Sequence, residues 1–251
     1  MTCFVPRVLH YESLPSTNTE AARLAHEGAS EGLSVVADEQ TAGRGRLARR
    51  WSSPKGAGLY LSLLLRPKIS QDYWPLLTFV AALAVADAVK DEYQLDTDIK
   101  WPNDLLAGER KFCGILGEVV ETNGGRAVVI GIGVNLTAAA VPEDLRDVAT
   151  SVSEASGREP NRDALLSALL RLLDSWYAVL QTNGGPTELL TAWMARSSYA
   201  FGKPVRVRDG QRTLAGVTQG LDSRGGLRLR QQNGEIVTLM AGDVTNLRAV
   251  N

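Results

Sequence analysis

The side chains best suited to chemistry crowd into one short run, Thr41-Ala42-Gly43-Arg44-Gly45-Arg46-Leu47-Ala48-Arg49-Arg50-Trp51. Gly43 and Gly45 let the backbone take conformations closed to other residues and approach a ligand closely. Arg44, Arg46, Arg49 and Arg50 carry guanidinium forks, which match the geometry of carboxylate and phosphate. Two readings fit this composition: a loop that closes over an anionic ligand, or a solvated basic loop that touches nucleic acid nonspecifically. A second run, Lys100-Trp101-Pro102-Asn103-Asp104, sets a cation, a rigid turn and two polar side chains at a strand end, where sheet-based enzymes often meet ligands. By itself it also reads as an ordinary Asn/Asp turn. In a third run, Arg110-Lys111-Phe112-Cys113-Gly114-Ile115-Leu116, Lys111 opens a strand and Gly114 marks a close backbone approach.

Other chemistries find little support. Cys113 reads as a small buried hydrophobe. The two histidines, His10 and His26, stand in unrelated contexts, which argues against a Cys–His pair and a histidine-rich metal site. Gly131-Ile132-Gly133-Val134-Asn135 looks like part of a dinucleotide fingerprint, but it lacks the third glycine and the following helix pattern. Asn135 is a candidate polar contact at a strand end. There is no Walker-type phosphate loop.

A frame must hold these runs. The pattern predicts strands over 7–11, 33–37, 59–65 and 99–101, and a hairpin of 112–121 with 127–134 turning at Asn123-Gly124. Helices are predicted over 20–27, 74–93, 151–156, 162–181 and 186–197, with Thr17 and Glu20 forming a capping box and Gly28 ending the first helix. The stretch 39–58 has no period and reads as a functional loop. Beyond residue 199, short alternating runs at 204–208, 213–219, 226–230 and 235–239 predict a small β-barrel. The expected division is therefore 1–199 and 200–251. Apolar residues make up 44% of the 251 and charged residues 22%, which fits a globular protein and argues against disorder. A net charge of −1 gives no global reason to bind nucleic acid or membrane. The apolar stretch at 76–89 is expected to be a buried helix. No signal peptide is evident, and two cysteines make no disulfide framework, so a cytoplasmic location is expected.

In order and spacing, five motifs resemble the biotin–protein ligase family: Ser16-Thr17-Asn18; Gln40 followed by Gly43-Arg44-Gly45-Arg46 and Trp51; Lys100 to Asp104; Lys111, Gly114, Ile115 and Leu116; and Gly131, Gly133 and Asn135. The resemblance covers nearly the whole chain. It departs at Leu47-Ala48, where the family often has Arg-Gly. The Ser-Thr-Asn motif stands at residue 16, so the resemblance implies the ligase-only type without an N-terminal DNA-binding domain.

The resemblance implies an α+β fold, a mixed sheet with helices in a class II synthetase-like catalytic domain, plus a small C-terminal SH3-like β-barrel. It implies an ATP-dependent biotin–[biotin carboxyl carrier protein] ligase that forms biotinyl-5′-AMP and passes biotin to a lysine. Lys111, Arg44 and Arg46 would be catalytic. Ser16, Thr17, Asn18, Gln40, Arg44, Gly45, Arg46, Lys111 and Gly114 would bind biotin. Arg46, Arg49, Trp51, Lys100, Asn103 and Asn135 would bind ATP. Mg²⁺ would enter on the ATP phosphates, with Asp104 a candidate contact, and no protein metal cage is expected. The expected partners are biotin and a biotin carboxyl carrier domain of a carboxylase, with no nucleic acid and no membrane, in a monomer or homodimer. Arg248 is a candidate contact from the C-terminal unit. A lipoate–protein ligase is the nearest alternative, and a nonenzymatic nucleic-acid-binding module a more distant one.

Overall fold

The structure, a computed structural model, describes residues 3–209 and 212–246, apart from the side chains of Ala48 and Asn246. Seven strands form one mixed sheet: β1 (Arg7–Leu14), β2 (Leu33–Gln40), β3 (Gly58–Leu65), β4 (Asp98–Lys100), β5 (Asp104–Ala107), β6 (Arg110–Thr122) and β7 (Gly125–Asn135), in the order β1-β2-β3-β7-β6-β5-β4. Only β1 and β2 run parallel, joined through helix α1 (Thr17–His26), and the other neighbours are antiparallel.

β3 is buried at every position, which its sequence Gly-Leu-Tyr-Leu-Ser-Leu-Leu-Leu foretells for a central strand covered on both faces. On one face Leu59, Leu61, Leu63 and Leu65 pack with α2 (Leu77–Tyr93), α4 (Arg162–Leu180) and α5 (Gly185–Ala195) in the main core. α3 (Val152–Ser156) adds Val152 to that core. On the opposite face Leu64 packs with Ala21 and Ala25 of α1 and with Val120, Ala127 and Val129. The apolar side of α1 therefore covers one end of that face, and only its first turn, Thr17 and Asn18, reaches beyond to Ser62 and Gly131. At the other end stand Ser62, Gly131, Gly133 and Gly114, aligned across the strands as Ser62–Gly131 and Gly133–Gly114. The arginine-rich segment 41–57 returns over this uncovered end.

The stretch Gln71–Tyr93 is long and apolar enough to cross a membrane, but it is mostly buried within the fold. It consists of a short 3₁₀ turn followed by α2, whose Phe79 stacks on Trp193 of α5 with ring centroids 4.8 Å apart.

The chain leaves α5 at Ala195 and enters a second, antiparallel sheet at Phe201: β8 (Phe201–Asp209), β9 (Arg212–Leu221), β10 (Leu227–Arg230), β11 (Ile236–Leu239) and β12 (Asp243–Asn246), ordered β11-β10-β9-β8-β12. The expected C-terminal β unit is present. Among the described residues its end strands, β11 and β12, are not joined by a ladder. The two units share one apolar core, since Val205, Leu227 and Leu229 cluster with the α2 side chains. Trp101 Nε1 donates to the Gly225 carbonyl at 2.9 Å, and Arg224 pairs with Asp72 at 3.1 Å across the same junction.

Several local expectations need correction. Ser16, not Thr17, is the N-cap of α1, and no side chain caps it. Glu20 is held by Arg23 and Tyr11, and Thr17 is already helical and turned toward Gln40, so no capping box forms. Strands β5 and β12, four residues each, lie outside the predicted strands. The β6–β7 hairpin does turn at Asn123-Gly124 as expected, between the paired Thr122 and Gly125, and Gly125 takes the left-handed conformation.

Candidate functional site

The polar end of the site is built at the start of α1. Ser16, Thr17 and Asn18 are each 4% exposed. Gln40, at the end of β2, receives hydrogen bonds at Oε1 from the Thr17 backbone N–H (2.8 Å) and hydroxyl (3.1 Å), and it donates from Nε2 to Ser53 Oγ at 2.8 Å. Ser62 Oγ lies 2.7 Å from Thr17 Oγ1 and 2.6 Å from Asn18 Oδ1. One hydroxyl has one proton, so it serves only one of these two acceptors at a time. Asn18 Nδ2 donates to Glu118 Oε2 at 2.6 Å. The cluster stands directly on Gly131: a Cβ there would lie 2.2 Å from Asn18 Oδ1.

The middle of the site is a floor of glycine covered by an indole. A Cβ on Gly133 would lie 2.5 Å from Trp51 Nε1, and one on Gly114 would lie 3.0 Å from Trp51 Cζ3. The Trp51 ring therefore spans the paired glycines, which explains why both positions lack a side chain. Trp51 Nε1 is buried without a hydrogen-bond partner.

Lys111 supplies the cationic end, and a β-bulge aims it. Leu105 pairs with Cys113 but Leu106 pairs with Lys111, so Phe112 is an inserted residue. A one-residue insertion changes which side chains share a face. Lys111 Nζ consequently reaches over Gly114, 3.2 Å from where its Cβ would stand, and lies 5.3 Å from the Trp51 ring centre. It pairs with Asp104 Oδ1 at 2.5 Å. Its backbone is fixed by hydrogen bonds with Val148 and Thr150, and Asn135 Nδ2 donates to the Thr150 carbonyl at 3.0 Å. Asn135 thus holds the segment that braces Lys111.

The arginine loop is already engaged by protein acceptors. Arg44 pairs with Glu118 at 2.8 Å. Arg46 donates to Asn103 Oδ1 at 3.3 Å and to the Gly242 carbonyl at 3.5 Å. Arg49 pairs with Asp243. Asn103 in turn is locked to Ile115 by its side-chain amide at 2.7 Å and its carbonyl at 3.0 Å. Burial pushes the Arg46 guanidinium below its usual range, against the pull of Asp243 and Asp104. Inside the loop, Leu47 takes a left-handed conformation (φ 54°, ψ 40°), which costs a non-glycine residue about 1–2 kcal/mol. Leu47 is also where the loop departs from the Arg-Gly of the resembled family.

A cleft of about 410 Å³ opens between the two sheets, lined by Arg49, Lys100, Asn103, Asp104, Arg206, Arg208 and Asp243 among others. Burial, reinforced by the neighbouring Lys111 charge, lowers the Lys100 pKa despite the counter-pull of Asp104. Lys100 also lies 5.7 Å from the Tyr199 ring centre.

The predicted residues Ser16, Thr17, Asn18, Gln40, Arg44, Gly45, Arg46, Trp51, Asn103, Lys111 and Gly114 thus belong to one continuous region. Gly45 serves it through its backbone, donating to the Arg49 carbonyl at 2.7 Å. Arg49 and Lys100 line the adjoining cleft, and Arg248 lies outside the described residues. Among the described residues the Arg50 side chain reaches the Thr41 carbonyl, at 3.5 Å. Cys113 is fully buried and its thiol pKa is raised by that burial, as expected of a core residue. Sequence reasoning missed Ser53, Ser62, Glu118 and Asp243. Ser62 had a visible signal, a lone hydroxyl in an apolar strand. Among the described residues no group of three His, Cys, Asp or Glu side chains is placed to hold a metal ion.

Two family models match separate parts of the chain. Residues 11–135 match the Biotin/lipoate A/B protein ligase family, and residues 200–245 match the Biotin protein ligase C terminal domain. A bifunctional ligase/repressor BirA of Bacillus spizizenii is 40% identical over 90% of this chain and 70% of its own length. A biotin–[acetyl-CoA-carboxylase] ligase of Mycobacterium tuberculosis is 36% identical over 93% of this chain and 86% of its own. The structure of an Aquifex aeolicus biotin protein ligase in complex with biotin and ATP superposes with a TM-score of 0.83 at 28% identity, covering 98% of this chain and all of that one.

Proposed function

This chain belongs to the biotin/lipoate A/B protein ligase family, and from that membership we propose that it is an ATP-dependent biotin–protein ligase. In the first step the biotin carboxylate attacks the α-phosphorus of ATP, giving biotinyl-5′-AMP and pyrophosphate. In the second an acceptor lysine amine attacks the activated carbonyl, forms the amide and releases AMP. The acceptor is a biotin carboxyl carrier domain, and the setting is the cytoplasm.

The observation that carries this reading is the polarity of the site. One end is a buried cluster of neutral hydroxyl and amide groups, and the other is the ammonium of Lys111 held over a glycine floor. A cyclic urea joined by an aliphatic chain to a carboxylate has the same polarity. The hydroxyl and amide oxygens of Thr17, Ser62 and Asn18 keep lone pairs to which a urea N–H can donate. A dithiolane ring offers no such donor and would strand buried polar groups, which favours biotin over lipoate.

The charge that builds on the phosphate during adenylation falls to Lys111 and the loop guanidiniums, held in place before the reaction by their present partners. Lys111 Nζ stands 5.3 Å from the Trp51 ring centre, and the role of aligning carboxylate and α-phosphate falls to it. Trp51 offers its ring to adenine, and Asn103 and Asn135 fix the strands around it. Lys100 and Arg49 border the cleft that suits the outer phosphates. Mg²⁺ would arrive on the nucleotide phosphates, with Asp104, here paired with Lys111, as a candidate contact.

Biotin-dependent ATP–pyrophosphate exchange tests the proposal. The parent protein is expected to exchange with biotin and not with lipoate, and Lys111→Ala to lose exchange. Exchange that responds to lipoate, or that persists near the parental rate without Lys111, would overturn it.

A further inference from the structure

Glu118 lies outside every motif legible in the sequence, yet two of those motifs converge on it. Its Oε2 accepts from Asn18 Nδ2 at 2.6 Å and from Arg44 NH2 at 2.8 Å. Asn18 belongs to the neutral cluster and Arg44 to the arginine loop. Glu118 also shares the strand face of Gly114, over which Lys111 Nζ rests. Glu118 stands four positions along β6 from Gly114, about 13 Å at the usual rise. The face therefore has the Lys111 ammonium, paired with Asp104, at one end and the Glu118–Arg44 pair at the other, spaced for a small elongated acid.

We propose that Glu118 is a positioning residue that fixes substrate polarity and couples the arginine loop to the neutral pocket. Its carboxylate orients the Asn18 amide and holds Arg44 across the pocket. With Glu118 and Arg44 satisfying each other, that end presents neutral hydrogen-bonding groups, and the carboxylate of the substrate lies at Lys111. The site so defined takes monocarboxylic acids with a neutral, hydrogen-bonding head and refuses those with an anionic head. The inference rests on the ligase reading above.

The test is a double-mutant cycle on Glu118 and Arg44, read by steady-state exchange on the full chain. Glu118→Gln keeps an acceptor for Asn18 but loses the charge that holds Arg44. It is expected to raise the biotin KM about tenfold, the effect of one charge-assisted hydrogen bond, with the ATP KM little changed. Arg44→Ala is expected to raise the biotin KM as well, and the double variant should be no worse than Arg44→Ala alone. Glu121→Gln removes an exposed carboxylate from the same strand, paired only with Arg126 in the described contacts, and controls for a general loss of charge. A parental biotin KM in Glu118→Gln or in Arg44→Ala, additive effects in the double variant, or an equal effect of Glu121→Gln would overturn the inference. Absence of biotin-dependent exchange in the parent would instead remove the functional reading itself.

Discussion

Replacing Gly133 with alanine should separate nucleotide binding from the rest of the site. The new methyl would stand 2.5 Å from Trp51 Nε1, 2.6 Å from Cε2 and 3.0 Å from Cζ2. Carbon atoms pack at about 3.5–4.0 Å, so something must move by about 1 Å. The backbone is the stiffer partner. Gly133 pairs with Tyr60 on one side and Gly114 on the other, in the middle of the sheet. Trp51 rides on the loop and is the group that yields. Overpacking of this kind costs about 1–3 kcal/mol, and the loop should keep it near the lower end. The larger effect is expected on nucleotide affinity. Base–aromatic stacking is worth about 1–3 kcal/mol, so a displaced indole should raise the ATP KM about 5- to 150-fold. The biotin KM should move much less, because the neutral cluster rests on Gly131. Urea unfolding, tryptophan emission and initial-rate exchange with each substrate varied provide the readouts. Gly124→Ala is the control, since its Cβ would meet nothing closer than 4.0 Å. A Gly133→Ala protein with parental ATP KM and unchanged emission would refute this account of the glycine floor.

Arg46→Gly removes the link from the loop to Asn103 and Gly242; it should still form the acyl-adenylate but release it, which biotinylation of bystander proteins would report, and parental leakage would exclude this role. Trp101→Phe orphans the Gly225 carbonyl and should cost about 1–3 kcal/mol in urea unfolding, with a further penalty for the smaller ring. Asp38 is held below its ordinary pKa chiefly by the Arg162 hydrogen bond, with help from His10. A depressed carboxyl stabilises the fold above its unfolded pKa, near 3.8, and that contribution is lost as pH falls through the lower folded value. Arg162→Met should therefore flatten the acid limb of the stability profile, and an unchanged limb would disprove the linkage.

The sequence revealed the helices and central strands well because their patterns are local. Leu59 to Leu65 could only be a strand covered on both faces, and 162–181 could only be an amphipathic helix. The motifs of the site were equally legible as residue types. Their partners were not. Thr17 and Glu20 have the spacing of a capping box, but distant groups, Gln40 and Ser62 for Thr17, compete for the hydroxyl. Lys111 shares a face with Gly114 only because Phe112 is inserted in the ladder, and no strand period betrays a bulge. Asp243 reaches Arg49 from the second sheet, a contact that needs the whole fold before it exists.

Those distant partners explain how a loop so rich in arginine can be ordered at all. Arg44, Arg46, Arg49 and Lys111 would repel one another if left unpaired. Each instead has an acceptor from a different place in the fold: Glu118 on β6, Asn103 after β4, Asp243 on β12, and Asp104 on β5. An anionic ligand entering here does not meet bare cations. It competes with acceptors that already stabilise them, so its net electrostatic gain is the difference between two sets of contacts. That difference is small for any single carboxylate or phosphate and grows only when a ligand engages several cations together. A free biotin carboxylate reaches chiefly Lys111, whereas an acyl-adenylate brings carboxyl and phosphate oxygens to Lys111 and the loop at once. The same pairing that orders the loop should therefore make it hold the intermediate more firmly than either substrate, which is the order of affinities a two-step transfer requires.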